Sequence, residues 1–313
     1  MRGWWQDLTD LVLPAECGGC GRPRTVLCPE CRAALNGAAP SRVRPVPEPP
    51  GLPVVHAAAR YADEVRAVLL AHKERGALAL AAPLGTALAG AVRAGLSDAR
   101  GVRVDAGRPV LLVPVPSARA AVRARGHDPA RRIALAAAGE LRRGGVPARV
   151  LAVLRQRRAV ADQSGLNSRQ RLENLAGALV VAPGGARLLR GGRVVLVDDL
   201  MTTGASLTEA ARAVHAAMAE GTVEGATGVY GRTAEEGFAG LRVPGPVSYD
   251  GVATAVYTAA TREGMGEPMA GPVDQGVGRR RAASGKAGTG GVRDVICAAV
   301  VAAPPDSFEI NRN

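Results

Sequence analysis

The segment VVLVDDLMTTGAS, Val194 to Ser206, sets an apolar run, two adjacent carboxylates and a hydroxyl- and glycine-rich turn directly before a helical pattern. Apolar residues of the kind that fill a strand buried on both faces bring the chain to the carboxyl edge of a parallel sheet, where open α/β folds place their ligands. Asp198 and Asp199 then stand at the end of that strand. The turn Thr202, Thr203, Gly204, Ala205 and Ser206 can converge its backbone N–H groups on one phosphate, with the positive end of the next helix dipole behind them. Gly204 lets the backbone approach an anion closely. Leu207, Ala211, Val214 and Met218 predict the following helix over about 205–219. The combination reads as a phosphate–ribose cradle. An acidic pair after a strand also serves ATPases as a magnesium site, but that requires a glycine-rich loop ending in GK[ST]. The chain's only lysines, Lys73 in HKERG and Lys286 in SGKAG, lie in no such frame.

Cys17, Cys20, Cys28 and Cys31 form two C-x2-C pairs. Four thiolates so spaced can close a tetrahedral zinc site. A disulfide pair, disfavoured in a reducing compartment, and an iron–sulfur site are the alternatives. Zinc would be structural here, because four cysteines leave no open coordination position, and it would fold a segment too short for its own core. Gly18, Gly19 and Gly21 suit the first knuckle, and Trp4, Leu8, Leu11 and Leu13 predict a short docking helix ahead of it. Cys297, in an apolar run far away, reads as a buried small side chain.

A length of 313 residues with 47% hydrophobic composition fits a globular chain of one or two domains. The formal charge of +12 points to an anionic partner such as a nucleotide, a pyrophosphate or a nucleic acid. Aromatic content of only 3% leaves few platforms for stacking bases, so any single-strand binding would rest on phosphates. Met1 to Asp10 lacks the basic start and apolar core of a signal peptide. The most apolar stretch, Ala77 to Val92, contains Pro83 and falls short of the ~20 residues a membrane span requires. No membrane insertion and a cytoplasmic location are therefore expected.

The elements that must position the cradle read as follows. A helical segment from Ala62 to Ala71 leads to Lys73, Glu74, Arg75 and Gly76, and a longer helix follows. Val110 to Val113 predicts a buried strand that runs into a proline-stiffened loop, PVPS, and then Arg119, Arg123, Arg125 and Gly126. A basic loop after a parallel strand can hold a pyrophosphate, since arginine presents a planar fork to phosphate oxygens. For Arg123 a solvated turn serves equally well; for Arg125 the functional role is favoured. A helix through Ile133, Leu135, Ala138 and Leu141 and a strand over 148–154 come next. Arg155 to Val181 is polar, basic and long for a connection, which suits a lid over a reactive centre. Gln163, Arg169 and Asn174 are its candidates, although Arg169 could also be the wet face of a helix. His127 has no partner histidine in the sequence pattern, which argues against a catalytic role.

Together these pieces resemble the ComF family, which joins an amino-terminal four-cysteine zinc module to a type I phosphoribosyltransferase-like domain. The resemblance runs from Trp5 to about Ala219. It rests on the four cysteines, Tyr61 with Lys73 and Gly76, PVPS with Arg125 and Gly126, the Gln163, Arg171 and Asn174 segment, and the VVLVDDLMTTGAS core. It implies that Asp198 and Asp199 hold the ribose hydroxyls of phosphoribosyl pyrophosphate (PRPP), and that Thr202 to Ser206 hold the 5′-phosphate. Pro116, Ser117 and Arg125 complete the PRPP contacts. Structural zinc on Cys17, Cys20, Cys28 and Cys31 and magnesium with PRPP are implied as well. So is either phosphoribosyl transfer to an unidentified acceptor or a non-catalytic role in competence-related DNA uptake, with single-stranded DNA and competence proteins as partners. The chain departs from the family's RGFNQA-like stretch, having Arg125, Gly126, His127, Asp128, Pro129 and Ala130 instead.

The expected fold is α/β: a parallel-sheet type I phosphoribosyltransferase-like domain with a small amino-terminal zinc module. Residues 1–36 form the module, 37–53 an extended linker, 54–220 the main domain, 221–293 a Gly-rich disordered insertion, and 294–313 the last core strand and tail. The shorter Ala226 to Tyr230, interrupted by Gly228, competes with DVICAAVVAA, Asp294 to Ala303, for the last strand.

Overall fold

A computed structural model of the chain describes residues 16–98, 107–158, 160, 167–227 and 295–308. Helix α1 (Pro29–Asn36) and strand β1 (Ser41–Val43) precede β2 (Val55–Arg60). Helices α2 (Asp63–Glu74) and α3 (Ala81–Asp98) lead to β3 (Val110–Pro114), and α4 (Arg119–Arg125) and α5 (Pro129–Arg143) lead to β4 (Ala148–Val150). Strands β5 (Leu154–Gln156) and β6 (Leu179–Val181) bracket α6 (Ser168–Leu175). Then come α7 (Gly185–Leu189), β7 (Arg193–Leu200), α8 (Ala205–Thr227) and β8 (Val295–Ala303).

Six of these strands form one sheet in the order β1-β2-β8-β7-β3-β4, with β1 antiparallel and every other neighbour parallel. Strand alternation divides its side chains between two cores. Val110, Leu112, Val195, Val197, Ala299 and Val301 face α1, α2, α3 and α5. Leu111, Val113, Val194, Leu196, Ala298 and Val300 face α8 and the β5–β6 pair. Helices cover both faces, which is why the central strands are apolar at every position rather than at every second one. Helix α5 starts where Asp128 accepts the N–H of Arg131 and Pro129 stands at the first helical position, a fixed φ with no donor to lose.

The run beginning at Asp294 supplies β8, and that strand lies between β2 and β7 at the centre of the sheet. Its rival Ala226 to Tyr230 begins inside α8, which extends past the expected 219 to Thr227. The linker assigned to 37–53 contains β1, whose Ser41, Arg42 and Val43 pair with Ala57, His56 and Val55. The single strand expected over 148–154 is two, β4 on the main sheet and β5 paired with β6. The described part of 155–181 is therefore not one long connection: its ends are antiparallel strands and α6 lies between them, opened by a reciprocal Asn167–Gln170 capping box. Leu78–Asp98 is longer than the stretch read from composition and contains 18 residues of mean hydropathy 1.3, long and apolar enough to cross a membrane; 61% of those 18 are buried inside the fold. The docking helix over Trp4 to Leu13 and almost all of the insertion, 228–293, lie outside the described residues.

Because β8 makes a parallel ladder on both sides, severing the chain at an engineered protease site after Gly285 is expected to leave both pieces in one particle on size exclusion. Deleting residues 292–313 instead is expected to abolish cooperative thermal unfolding, and a deletion that melts like the full chain would contradict the central placement.

Candidate functional site

Strands β3 and β7 run side by side with Pro114 opposite Val197, so the loop after β3 and the acidic pair of β7 open at one edge of the sheet. Asp198 and Asp199 lie in the last three residues of β7, at the end of the strand. They extend past β3, while β8 continues the ladder with Val300 opposite Asp198 and Ala302 opposite Leu200. Asp199 is buried, and its Oδ2 stands 3.1 Å from Nζ of Lys73, near the end of α2. Asp198 is half-buried, and its Oδ1 accepts the N–H of Asp199 at 2.8 Å. Burial and then the Asp199 charge push the Asp198 carboxyl well above the usual carboxylate range, against the pull of Lys73. Asp199 raises the pKa of Lys73 while burial opposes it, and Asp198 adds to the rise.

The ladder closes where the N–H of Met201 donates to the carbonyl of Ala302 at 3.1 Å. Beyond it, among the described residues, the N–H groups of Thr202, Thr203, Gly204, Ala205 and Ser206 have no acceptor. The next bond, from the N–H of Thr208 to the carbonyl of Gly204, is the first turn of α8. These are the orphan donors that make a helix start an anion cradle. Gly204 has a φ of +75°, and a Cβ there would stand 3.0 Å from Leu52 and 3.4 Å from Pro45. Glycine is thus required by backbone conformation, and the proline-rich segment before β2 forms the wall against this turn.

On the neighbouring loop Pro116 and Ser117 are half-buried. The N–H of Ser117 donates to Oδ2 of Asp128 at 3.3 Å, and the other oxygen of that carboxylate caps α5. Arg125, only 15% exposed at its side chain, gives Nε to the carbonyl of Ala121 at 3.2 Å and Nη1 to Oε1 of Glu74 at 2.7 Å. The remaining guanidinium donors leave it able to meet a phosphate oxygen. Of the lid candidates, Gln163 lies outside the described residues. Arg169 is exposed and pairs with Glu173 at 2.8 Å on the wet face of α6, and the carbonyl of Asn174 accepts from Arg158 at 2.8 Å.

Three residues that belong to this constellation went unread as site residues: His72, Lys73 and Glu74. The available signal was scarcity. Only two of 40 basic residues are lysines, and a compact ammonium retained in an arginine-rich chain marks a place where the planar fork does not fit the task. His127 does have a partner histidine, contrary to expectation, because the fold brings it edge-on to His72 with ring centroids 5.5 Å apart. His72 is fully buried with neither ring nitrogen hydrogen-bonded. Burial, reinforced by His127 and opposed by Asp199, pushes its pKa down to about 4, so the ring is neutral.

At the amino end the Sγ atoms of Cys17, Cys20, Cys28 and Cys31 all lie within 4.8 Å of one another, with Cys20 and Cys28 at 3.6 Å. A tetrahedral ion with Zn–S bonds of about 2.3 Å needs sulfurs roughly 3.8 Å apart, so the set could hold zinc. Cys28 offers its N–H to Sγ of Cys17 and Cys31 its N–H to Sγ of Cys28, the pattern of a knuckle that stabilises thiolates. Burial raises the Cys17 thiol, but the N–H groups of Cys28, Cys20 and Gly19 outweigh it and bring the pKa down to about 6. Cys17, Cys28, Cys31 and Leu35 share one core with Val68, Leu80 and Leu84, so the cluster is packed into the body of the fold. Cys297 is buried, and burial raises its thiol to about 12, consistent with an inert packing role.

The raised pKa of Asp198 means that the stability its protonated form contributes is present below the unfolded value and lost as pH climbs through the folded one. Asp198→Asn is therefore expected to raise the melting temperature more at about pH 8 than at about pH 5; an equal effect at both would contradict a raised Asp198 pKa. Cys28→Ser is expected to lower bound zinc and the melting temperature together, measured by atomic absorption and calorimetry, and metal-free protein of full stability would rule out a metal role.

No curated protein matches the chain. Residues 120–236 match the phosphoribosyl transferase domain family, and the matched stretch holds the acidic pair and the turn that follows it. The protein thus contains a phosphoribosyltransferase domain, set on a mostly parallel sheet beside a four-cysteine cluster able to take zinc.

Proposed function

We propose that the protein binds PRPP at the carboxyl edge of its sheet and transfers the 5-phosphoribosyl group to an acceptor, releasing pyrophosphate. The observation that carries this reading is the run of unpartnered N–H groups from Thr202 to Ser206 directly beside a carboxylate pair. The first suits a phosphate monoester and the second suits sugar hydroxyls. In this reading Asp198 and Asp199 accept from the ribose hydroxyls while Thr202, Thr203, Gly204, Ala205 and Ser206 wrap the 5′-phosphate. Pro116, Ser117 and Arg125 meet the pyrophosphate, which enters as its magnesium complex. The bond between the anomeric carbon and the pyrophosphate oxygen breaks as the acceptor's lone pair forms the new one. The positive charge that develops on the ribose is stabilised by the carboxylates nearby. Catalysis on this scheme comes from orientation and fixed charge rather than from a dedicated general acid. Gln163, Arg169 and Asn174 belong to a segment that would exclude water during the transfer. Cys17, Cys20, Cys28 and Cys31 hold structural zinc, and the protein works in the cytoplasm, where such thiols stay reduced.

A second reading keeps the ligand and drops the transfer. A charge of +12 and the exposed Arg119, Arg123, Arg131 and Arg132 on α4 and α5 favour contact with a polyanion. PRPP would then tune a component of competence-related DNA uptake that handles single-stranded DNA, as the ComF resemblance implies. Salt separates the two, since affinity built on DNA phosphates collapses with added salt while a pocketed ligand is less sensitive.

Replacing both carboxylates, Asp198→Asn with Asp199→Asn, is expected to abolish PRPP binding in calorimetry without lowering the melting temperature; undiminished binding would overturn the assignment. Pyrophosphate release from PRPP and Mg²⁺ over a panel of nitrogenous acceptors then decides between transfer and binding alone.

A further inference from the structure

We propose that His127 is a positioning residue for Lys73 and Arg125, its ring tying together the two helix ends that carry them. One ring nitrogen, Nδ1, stands 3.1 Å from the carbonyl oxygen of Arg125, and the other, Nε2, stands 3.2 Å from the carbonyl oxygen of His72. A neutral ring donates to one of the two and an imidazolium to both. Both carbonyls are orphans for reasons written in the chain. Arg125 ends α4, and the residue four positions on is Pro129, which has no N–H to offer. His72 lies in the last turn of α2, whose final carbonyls have no donor within the helix. Gly126, at a φ of +75°, supplies the left-handed bend that brings the His127 ring back onto the carbonyl two residues earlier.

The consequence falls on the side chains beside these two carbonyls. Lys73 follows His72 and reaches Asp199 at 3.1 Å; Glu74 follows Lys73 and holds the Arg125 guanidinium at 2.7 Å. The end of α2 and the turn after α4 are therefore joined twice, by His127 on the inside and by the Arg125–Glu74 pair outside. His127 is only 9% exposed, whereas Glu74 is half-exposed at its side chain and its pair with Arg125 is correspondingly screened. The buried link is the one able to fix the spacing. His72, edge-on to the same ring, packs the joint without bonding it. The proposal rests on the PRPP reading only for the purpose of that spacing, not for its existence.

The test uses the full chain with His127→Phe, which keeps an aromatic ring against His72 and removes the ring nitrogens, and His127→Gln, which restores a side-chain N–H donor. Lys73 is one of only two lysines, so ¹³C-lysine labelling gives few enough side-chain resonances to assign it directly in ligand-free protein. In His127→Phe the Lys73 resonance is expected to move toward that of lysine in a peptide, and PRPP affinity to fall by about tenfold, the scale of one lost hydrogen bond. His127→Gln is expected to recover most of both. An unmoved Lys73 resonance in a folded His127→Phe protein overturns the proposal, and so does a shift that His127→Gln leaves unrestored. If His127→Phe does not fold, His127→Leu, which likewise removes the donor, takes its place under the same criteria. A native protein that binds no PRPP while the resonance still moves in His127→Phe refutes the ligand and keeps the positioning role.

Discussion

Strand β7 is paired on both sides by parallel neighbours, and that double pairing decides where every group of the candidate site stands. Against β3 it aligns two loop starts at one edge of the sheet; against β8 it holds the backbone straight through Asp198 and Asp199. Without the second ladder nothing would keep two adjacent carboxylates at the sheet edge in extended conformation. With it, one is half-buried and the other is buried against a lysine from a helix more than a hundred residues earlier in the chain. The turn after β7 is then free to spend its N–H groups outward, because the last backbone bond of the ladder is made by Met201.

Holding such a doublet has a cost that fixes part of the architecture around it. Two unit charges about 4 Å apart at an effective dielectric near 20 interact by roughly 4 kcal/mol, a large share of the ~5–15 kcal/mol that stabilises an ordinary domain. One nearby cation offsets most of that, and α2 delivers it in Lys73. The alternative, protonation, is the direction in which Asp198 is pushed. A site built this way is tuned by the placement of a single ammonium, so the scaffold that sets this placement matters as much as the carboxylates themselves.

The sequence discloses this site only where local chemistry suffices. The run Val194 to Val197, the acidic pair and the turn were legible because each depends on local chemistry: β-branched burial, hydroxyl and glycine at a helix start. The four cysteines were legible for the same reason, since their spacing alone sets the geometry of a knuckle. Strand β1 was not, because three residues in a proline-rich stretch carry no usable alternation; only the partner β2 makes them a strand. The meeting of His72 with His127, and of Glu74 with Arg125, joins positions about fifty residues apart, and nothing in either neighbourhood announces the other. The end of α8 lies at Thr227, past the apolar pattern of Leu207, Ala211, Val214 and Met218 from which its length was read.

The location of β8 also shapes how the protein comes into being. Its two neighbours, β2 and β7, are both translated well before Val295–Ala303 emerges from the ribosome, and until then they have no shared partner to join them. A nascent chain in that interval exposes two apolar strand edges and an acidic doublet with no ladder beside it, the kind of species prone to aggregation.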